Sequence, residues 1–571
     1  MPSDGEHTNA PQGPAGDLPI TPITLSAQET ARAATGTLAA AIRLVSGLTL
    51  FSRIAGLLRD IVMVRLLGDG AIASAFRAAY TLPNLFRRLF GEGALSAAFL
   101  PEYTQLRREE PQTAAELATL TLKLLTLATG WLTLAIELVL IALLVFLPDN
   151  EASRHLSFKM MMLMLPMMPM VCITAILGGI LQAHGKFGPP AAAPIILNLF
   201  QIAAGLVFYL GMTNSATLTA YIVGAAAVLA SIVQIVWSLW ALKGCVKWSK
   251  AGEDAKRHGA RVFKRFIPAV LGLGTLQLNT MVDQLIAMWP VWIGPEMFGR
   301  PVPLDVKSNA ILSYTQQLYQ FPLGVFGIAV ATAVFPMLSR ASADPTEFAA
   351  VLRRGLRLSF FIGLPASIGL ILVRHDLIFV VYSGGNSGFD ADSVARGAAV
   401  LLGFAPGVWA YSLNHVLTRA FYAKHNTRTP MRVAMSMVLL NLSLNFTLIW
   451  YLREAGLAWA TAASAMVQMF VLLVLCVKRL GVQPFDGETT RAFLRIGSAA
   501  ALMALAVWAA IHWWPDPMGN WKLHAARLAA GVGAGGLVFG LAAFLLRAPE
   551  MRWLVQRGGQ ANGAAGAMSF D

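Results

Sequence analysis

Apolar runs of about 20 residues or more, bounded by Pro, Gly and clusters of charge, recur along this chain. Their length and continuity predict membrane-crossing helices and exclude a barrel, whose strands alternate over about 10 residues. The punctuation predicts about fourteen spans. They centre near Leu50, Ala79, Leu132, Met168, Leu199, Ala227, Leu276, Val325, Gly363, Phe404, Leu439, Ala465, Ala501 and Ala534. Arginine dilutes the first two, and glutamine dilutes the eighth.

Orientation follows the Lys/Arg bias. With the first connection placed outside, the inner connections carry Arg107 and Arg108, Lys186, a dense group from Lys243 to Arg265, then Arg340, Arg353, Arg354 and Arg357. Further on come Lys424, Arg428 and Arg432, then Lys478, Arg479, Arg491 and Arg495. The opposite connections are short or slightly acidic, as at Asp149–Glu151 and Asp390–Asp392. Both termini are expected on the cytoplasmic side. Two internal echoes lie about 240 residues apart: Gln182–Leu199 against Tyr422–Leu442, and Gly93–Leu106 against Gly327–Arg340. That offset spans six helices, an even number, so the halves share topology about an axis along the membrane normal. The competing reading is chance similarity between apolar helices. The expected organisation is an all-α polytopic protein: a disordered extension (1–35), a lobe of spans 1–6 (36–245), a lobe of spans 7–12 (246–482), two C-terminal spans (483–548) and a cytoplasmic tail (549–571).

Composition agrees. Of 571 residues, 56% are hydrophobic and 13% charged, with mean hydropathy +0.61; soluble domains average about 45–50% and about 25%. The net charge of +14 belongs to the inner loops rather than to nucleic-acid binding. Cys172, Cys245 and Cys476 are scattered, which excludes a disulfide framework or zinc knuckle. The first 35 residues have no basic start leading into an apolar segment, so they read as an extension and not a cleaved signal.

Two stretches, Phe51–Gly68 and Ala75–Pro101, place arginines inside spans. An arginine at mid-membrane costs about 2.5–3.5 kcal/mol on insertion scales, so such residues face water or an anionic ligand. Arg53, Arg59 and Arg87 are the anion-facing candidates, whereas Arg65, Arg88 and Arg107 suit snorkelling at an interface. Arg53 and Arg59 are about 600° of helix apart and diverge by about 120° unless Gly56 permits a bend. Asp60 can neutralise part of Arg59. Guanidinium pairs bidentately with phosphate oxygens, so this set suits a pyrophosphate better than a neutral drug. Glu92 and Ser96 read equally as a gate or counter-charge and as a helix cap or ion pair.

A lone carboxylate, Asp283, sits in the seventh span; Asn441, Asn445 and Thr461 offer hard oxygens in the eleventh and twelfth. Two readings stand: a site for sodium or a proton, and a hydrogen-bond network packing the second lobe. The methionine-rich run around Pro166 and Pro169 reads as lipid-facing filler with an incidental kink, a hinge being the alternative. The histidines, dispersed and mostly near span ends, suit interfacial roles. Nothing marks an enzyme: there is no Walker loop, no paired histidine ligands and no nucleophile with a base. Any drive comes from the membrane potential, an ion gradient or consumption of product.

Four stretches, SRIAGLLRD, TLPNLFRRLFGEGALSAAFLPEY, QFPLGVFGIAVATAVFP and TRAFYAKHNTRTP, resemble the MurJ/MviN lipid II flippases of the multidrug/oligosaccharidyl-lipid/polysaccharide exporter superfamily. The resemblance extends from about residue 36 to 548. It implies two six-helix lobes, an inward-open and outward-open cycle, and transfer of an undecaprenyl-pyrophosphate-linked peptidoglycan precursor to the outer leaflet. The implied partners are that lipid-linked saccharide, membrane lipids and cell-wall synthesis proteins. It places the family's cavity arginines on Arg53, Arg59 and Arg87, with Asn84, Glu92 and Ser96 in the same motif, and a cation site in some members among the helices of Asp283, Asn441, Asn445 and Thr461. The chain departs from the family pattern at Ser74, where an acid is common, and at Gln316 and Gln317, where an Asp-Arg pair is common; Arg77 is an added cation one turn beyond Ser74. Rival functions are export of another lipid-linked glycan or a small solute, and a non-transporting membrane scaffold.

Overall fold

The computed structural model describes residues 27–91, 94–147, 152–273, 275–383 and 388–555. The first half contains α1 (Ala27–Leu67), α2 (Ala71–Gly91), α3 (Ala94–Glu109), α4 (Pro111–Phe146), α5 (Ala152–Met164), α6 (Met167–Ala183), α7 (Gly188–Tyr209) and α8 (Ala216–Ala241). The second begins with α9 (Glu253–Leu273), α10 (Thr275–Ala287), α11 (Trp289–Trp292) and a hairpin of β1 (Glu296–Met297) and β2 (Arg300–Pro301). There follow α12 (Ser308–Pro322), a π turn (Leu323–Gly327), α13 (Ile328–Arg340), α14 (Pro345–Tyr382), α15 (Ala391–Phe404), α16 (Gly407–Ala423), α17 (Arg428–Leu452) and α18 (Glu454–Leu475). The chain closes with α19 (Gly487–His512), α20 (Trp521–Leu545) and α21 (Pro549–Val555). The first helix starts ahead of the boundary at 36 that the sequence predicts, because the alanine-rich segment from Ala27 has high helix propensity. The rest of that extension, and the tail after Arg557, lie outside the described residues.

Side-chain caps set several helix starts. Asp390 and Asp486 accept from Ser393 N at 2.8 Å and Thr489 N at 2.7 Å, and Asp344 caps α14 in the same way. Ten helical segments among the described residues, counting α5 with α6 and α15 with α16, are long and apolar enough to cross a membrane. The other four expected spans fall on α1 and α2, which carry arginines within their apolar stretches, and on α10 and the α12–α13 pair, whose separate helices are too short to cross by themselves. Such helices are tolerated in a bilayer where their polar faces turn toward protein or water.

The helices form two bundles. In the first, α1 packs on α7, α2 on α5 and α6, and α7 on α8; in the second, α14 packs on α16, and α18 on α15 and α17. The last two long helices, α19 and α20, pack on each other and on α14. Ion pairs hold them there at both ends: Asp376 of α14 with Arg527 at 2.6 Å, and Arg357 of α14 with Glu488 at 2.6 Å.

The halves repeat each other. Proline breaks a long helix at Pro166 and again at Pro406, and each broken pair ends in the same turn, with Gly185 and His425 at positive φ. These positions share the separation of about 240 residues seen in the sequence echo. The methionines around Pro166 are not lipid-facing filler: Met160, Met161, Met164, Met167 and Met168 are all buried. Flexible thioethers fill the irregular space that a broken helix leaves inside a bundle. Cys172 and Cys476 are buried free thiols.

Candidate functional site

Between the bundles lies a cavity of about 420 Å³, lined by α1, α2, α7, α10, α12, the π turn, α13 and α16. Its walls differ. The first half contributes Arg53, Arg59, Arg77, Arg87 and Arg88; the second contributes Gln277, Gln284, Gln316, Gln317, Gln320 and His415. No carboxylate is among the lining residues described. A low-dielectric pocket lined by one sign of charge concentrates the opposite sign.

Asp60, behind this wall, is completely buried and organises it. Its Oδ1 accepts from Arg59 Nη2 and Arg77 Nη2, both at 2.9 Å. Arg59 Nη1 also donates to Asn198 Oδ1 at 3.0 Å, and Asn198 Nδ2 donates to Ser52 O at 3.2 Å, which ties α7 to α1. The Arg77 guanidinium lies 3.9 Å from the centre of the Tyr314 ring, a cation–π contact across the two halves. One carboxylate thus holds two cations and leaves the cluster positive. Arg87 donates to Asn84 Oδ1 at 2.9 Å and 3.1 Å, and Arg88 to Gln320 Oε1 at 3.1 Å. Amides orient these guanidiniums toward the cavity. Arg53 rests against Gly324, where any Cβ would overlap its guanidinium. That close approach requires glycine in the π turn.

Arg53, Arg59 and Arg87 therefore share one cavity despite their angular spread along α1 and α2, because the cavity wraps around both helices. Asn84, Arg77 and Gln317 line it as well. Arg88, expected at an interface, is instead a cavity residue, since α2 turns that side toward α12. Glu92 lies outside the described residues, as does the side chain of Ser96. Ser74 does not line this cavity. Its hydroxyl donates to Val306 O and accepts from Ala310 N at 3.1 Å, while Asn309 Nδ2 donates to Ser74 O at 3.0 Å. These partners of α2 are 232 to 236 residues distant, close to the repeat spacing, so equivalent helices of the two halves face each other across the axis. Asn198, Gln284, Gln320 and His415 escape a reading based on charge; their mark in the sequence is polarity within otherwise apolar runs.

The halves are bridged at both ends. At the hairpin end, Lys307 reaches Asp69 at 3.4 Å and Asp390 at 2.6 Å, and this hydrogen bond holds the Asp390 carboxyl down to about 2. At the end that carries the basic loops, Glu102 of α3 meets His258 at 2.7 Å and Arg261 at 3.3 Å, both from α9.

Asp283, Asn441, Asn445 and Thr461 also converge. Asn445 Nδ2 and Thr461 Oγ1 donate to the two Asp283 oxygens at 2.7 Å each, and Asn441 Nδ2 donates to Thr461 Oγ1 at 3.1 Å. All four residues are buried within the second half, and Asn445 Oδ1 has no hydrogen-bond partner. A carboxylate, a hydroxyl and an amide oxygen left over fit a small hard cation by donor chemistry.

Two helical bundles around a polar cavity, with two further helices alongside, define a transporter fold. An inward-facing multidrug resistance MATE family transporter of the MOP superfamily shares it, with a TM-score of 0.62 and 12% identity over 75% of this chain and 94% of that one. The chain belongs to the lipid II flippase MurJ family, whose profile matches residues 63–526. A probable lipid II flippase MurJ of Vibrio cholerae is 28% identical over 505 residues, which cover 84% of this chain and 89% of the relative. The lipid II flippase MurJ of Burkholderia cenocepacia is 27% identical, with 83% and 90% covered. A lipid II flippase MurJ structure in an inward closed conformation superposes with a TM-score of 0.71 and 23% identity, over 88% of this chain and 99% of that one.

Proposed function

We propose that this chain is a lipid II flippase of the bacterial cytoplasmic membrane, with its basic loops and both termini on the cytoplasmic side. The observation that carries the reading is the cavity between the halves, with five arginines and no lining carboxylate described. Guanidiniums grip the pyrophosphate, and the facing glutamines offer donors and acceptors to saccharide hydroxyls. The polyprenyl tail stays in lipid while the two lobes rock to expose the head group outside. Bridges at both ends of the cavity support alternating access, since one must open while the other holds.

Asp283, Asn441, Asn445 and Thr461 would hold sodium, whose binding would bias the second lobe toward one arrangement. A negative-inside potential acts on the cationic cavity and favours its return to the inward-facing state.

Depletion of the protein followed by mass spectrometry of polyprenyl-linked precursors tests the reading: lipid II is expected to accumulate. Arg53→Ala, Arg59→Ala and Arg87→Ala are expected to fold yet lose exposure of lipid II at the outer leaflet. Normal exposure in all three would remove the anion cavity from the mechanism. Accumulation of another lipid-linked glycan would redirect the substrate.

A further inference from the structure

We infer that the lipid-facing side of α4 around Glu137 docks a membrane-spanning helix of another protein, one that presents a cationic side chain at mid-bilayer. Glu137 is the single ionisable residue in the apolar stretch Leu124–Leu147 and lies about halfway along it. It is partly exposed at the side of the bundle, on a helix that also exposes Leu134, Leu138 and Ile141. The other carboxylates found inside the helical bundles have partners. Asp60 holds two arginines, Asp283 accepts from Asn445 and Thr461, Asp376 pairs with Arg527, and Glu454 pairs with Arg396. No described residue donates to Glu137 or pairs with it. A carboxylate left in hydrocarbon is costly, and polar side chains there find satisfaction at helix–helix contacts.

The surface beside it is shaped for a close approach. Gly130 lies seven residues before Glu137, and a Cβ placed there would meet nothing within 4 Å. Seven-residue spacing keeps both on one side of the helix, as it does the exposed Lys123 one heptad earlier. A second copy of this chain lacks the complementary charge: crossing two identical, equally oriented helices at Gly130 sets Glu137 against Glu137 and Lys123 against Lys123. The complementary helix is therefore a different one, with a cation at the depth of Glu137.

Fluorescence transfer in phosphatidylcholine vesicles tests this, using the full chain labelled on α4 and two synthetic polyleucine spanning peptides. One carries a single central lysine and the other none. The lysine peptide is expected to bind the wild type about tenfold more tightly than Glu137→Leu, with Glu137→Gln between them, and the plain peptide to show no such difference. Equal binding of the lysine peptide to wild type and Glu137→Leu would overturn the proposal. So would a Glu137→Cys disulfide linking two copies in native membranes, which would make the face a self-interface. Glu137→Leu is expected to unfold no earlier than wild type; earlier unfolding would reveal an internal partner and also overturn the proposal.

Discussion

Two polar clusters lie among the membrane helices, and they treat charge in opposite ways. Around Asp283, one carboxylate is met by neutral donors from α17 and α18 of its own half, and the cluster is closed. Around Asp60, one carboxylate is shared by two of five arginines that line a cavity between halves. A closed cluster can tighten or loosen one bundle; an open one, at a seam, can hold an anion that both bundles touch. Location relative to the seam, more than residue type, separates a cluster enclosed in one half from one open to both.

The comparison breaks most sharply at Asp60. Asp60→Ala leaves Arg59 and Arg77 buried without their shared anion, and a loss of about 3–5 kcal/mol is expected in denaturant unfolding of the purified protein. Adding Arg77→Leu should recover part of it; a change below about 1 kcal/mol in Asp60→Ala would mean that water already neutralises the cluster. Next in size is sodium. Wild type in saturating sodium chloride should gain about 2.7 kcal/mol over choline chloride if sodium reaches a hundred times its dissociation constant, and Asp283→Asn should gain nothing. Identical curves for wild type in both salts would leave Asp283 as packing alone.

Smaller effects test the seam itself. Gly324→Ala displaces the Arg53 guanidinium from the π turn, and binding of a polyprenyl pyrophosphate is expected to weaken about tenfold with little change in unfolding. Unchanged binding would show that Arg53 reaches the ligand from elsewhere. The weakest lever is the hairpin-end bridge. Lys307 lowers the Asp390 carboxyl to about 2, so its stabilisation is present above the ordinary carboxylate value and is lost as pH falls from about 4 toward 2. Asp390 is 56% exposed, so Lys307→Gln should cost under about 1 kcal/mol at neutral pH and nothing further below pH 2, as followed by calorimetry. A loss that grows as the pH falls would assign the pair the wrong sign.

Much of this was readable before any coordinates. Apolar length alone marks ten of the spans, and the arginines of α1 and α2 announce a cavity because lipid does not tolerate them. Charge, however, pointed only to one wall. The glutamine wall carries no charge, so Gln284 and Gln320 stand out in the sequence only as polar letters in an apolar run. Arg88 was misjudged because an arginine near a helix end reads the same whether it snorkels or faces a partner helix. Ser74 looked like a missing acid in a binding site and is instead a seam residue whose hydroxyl bonds the backbone of the opposite half.

By itself, the sequence determined which ten segments are apolar enough to cross a bilayer, the internal echo between halves, and that α1 and α2 carry arginines within their apolar stretches. These follow from transfer free energies and periodicity, which are properties of single segments. The tertiary structure decided which cations share Asp60, which line the seam, and that Glu137, among the bundle carboxylates described, is left partly exposed without a partner. Those outcomes depend on how helices distant in the chain are rotated against one another, and no single segment encodes its own rotation.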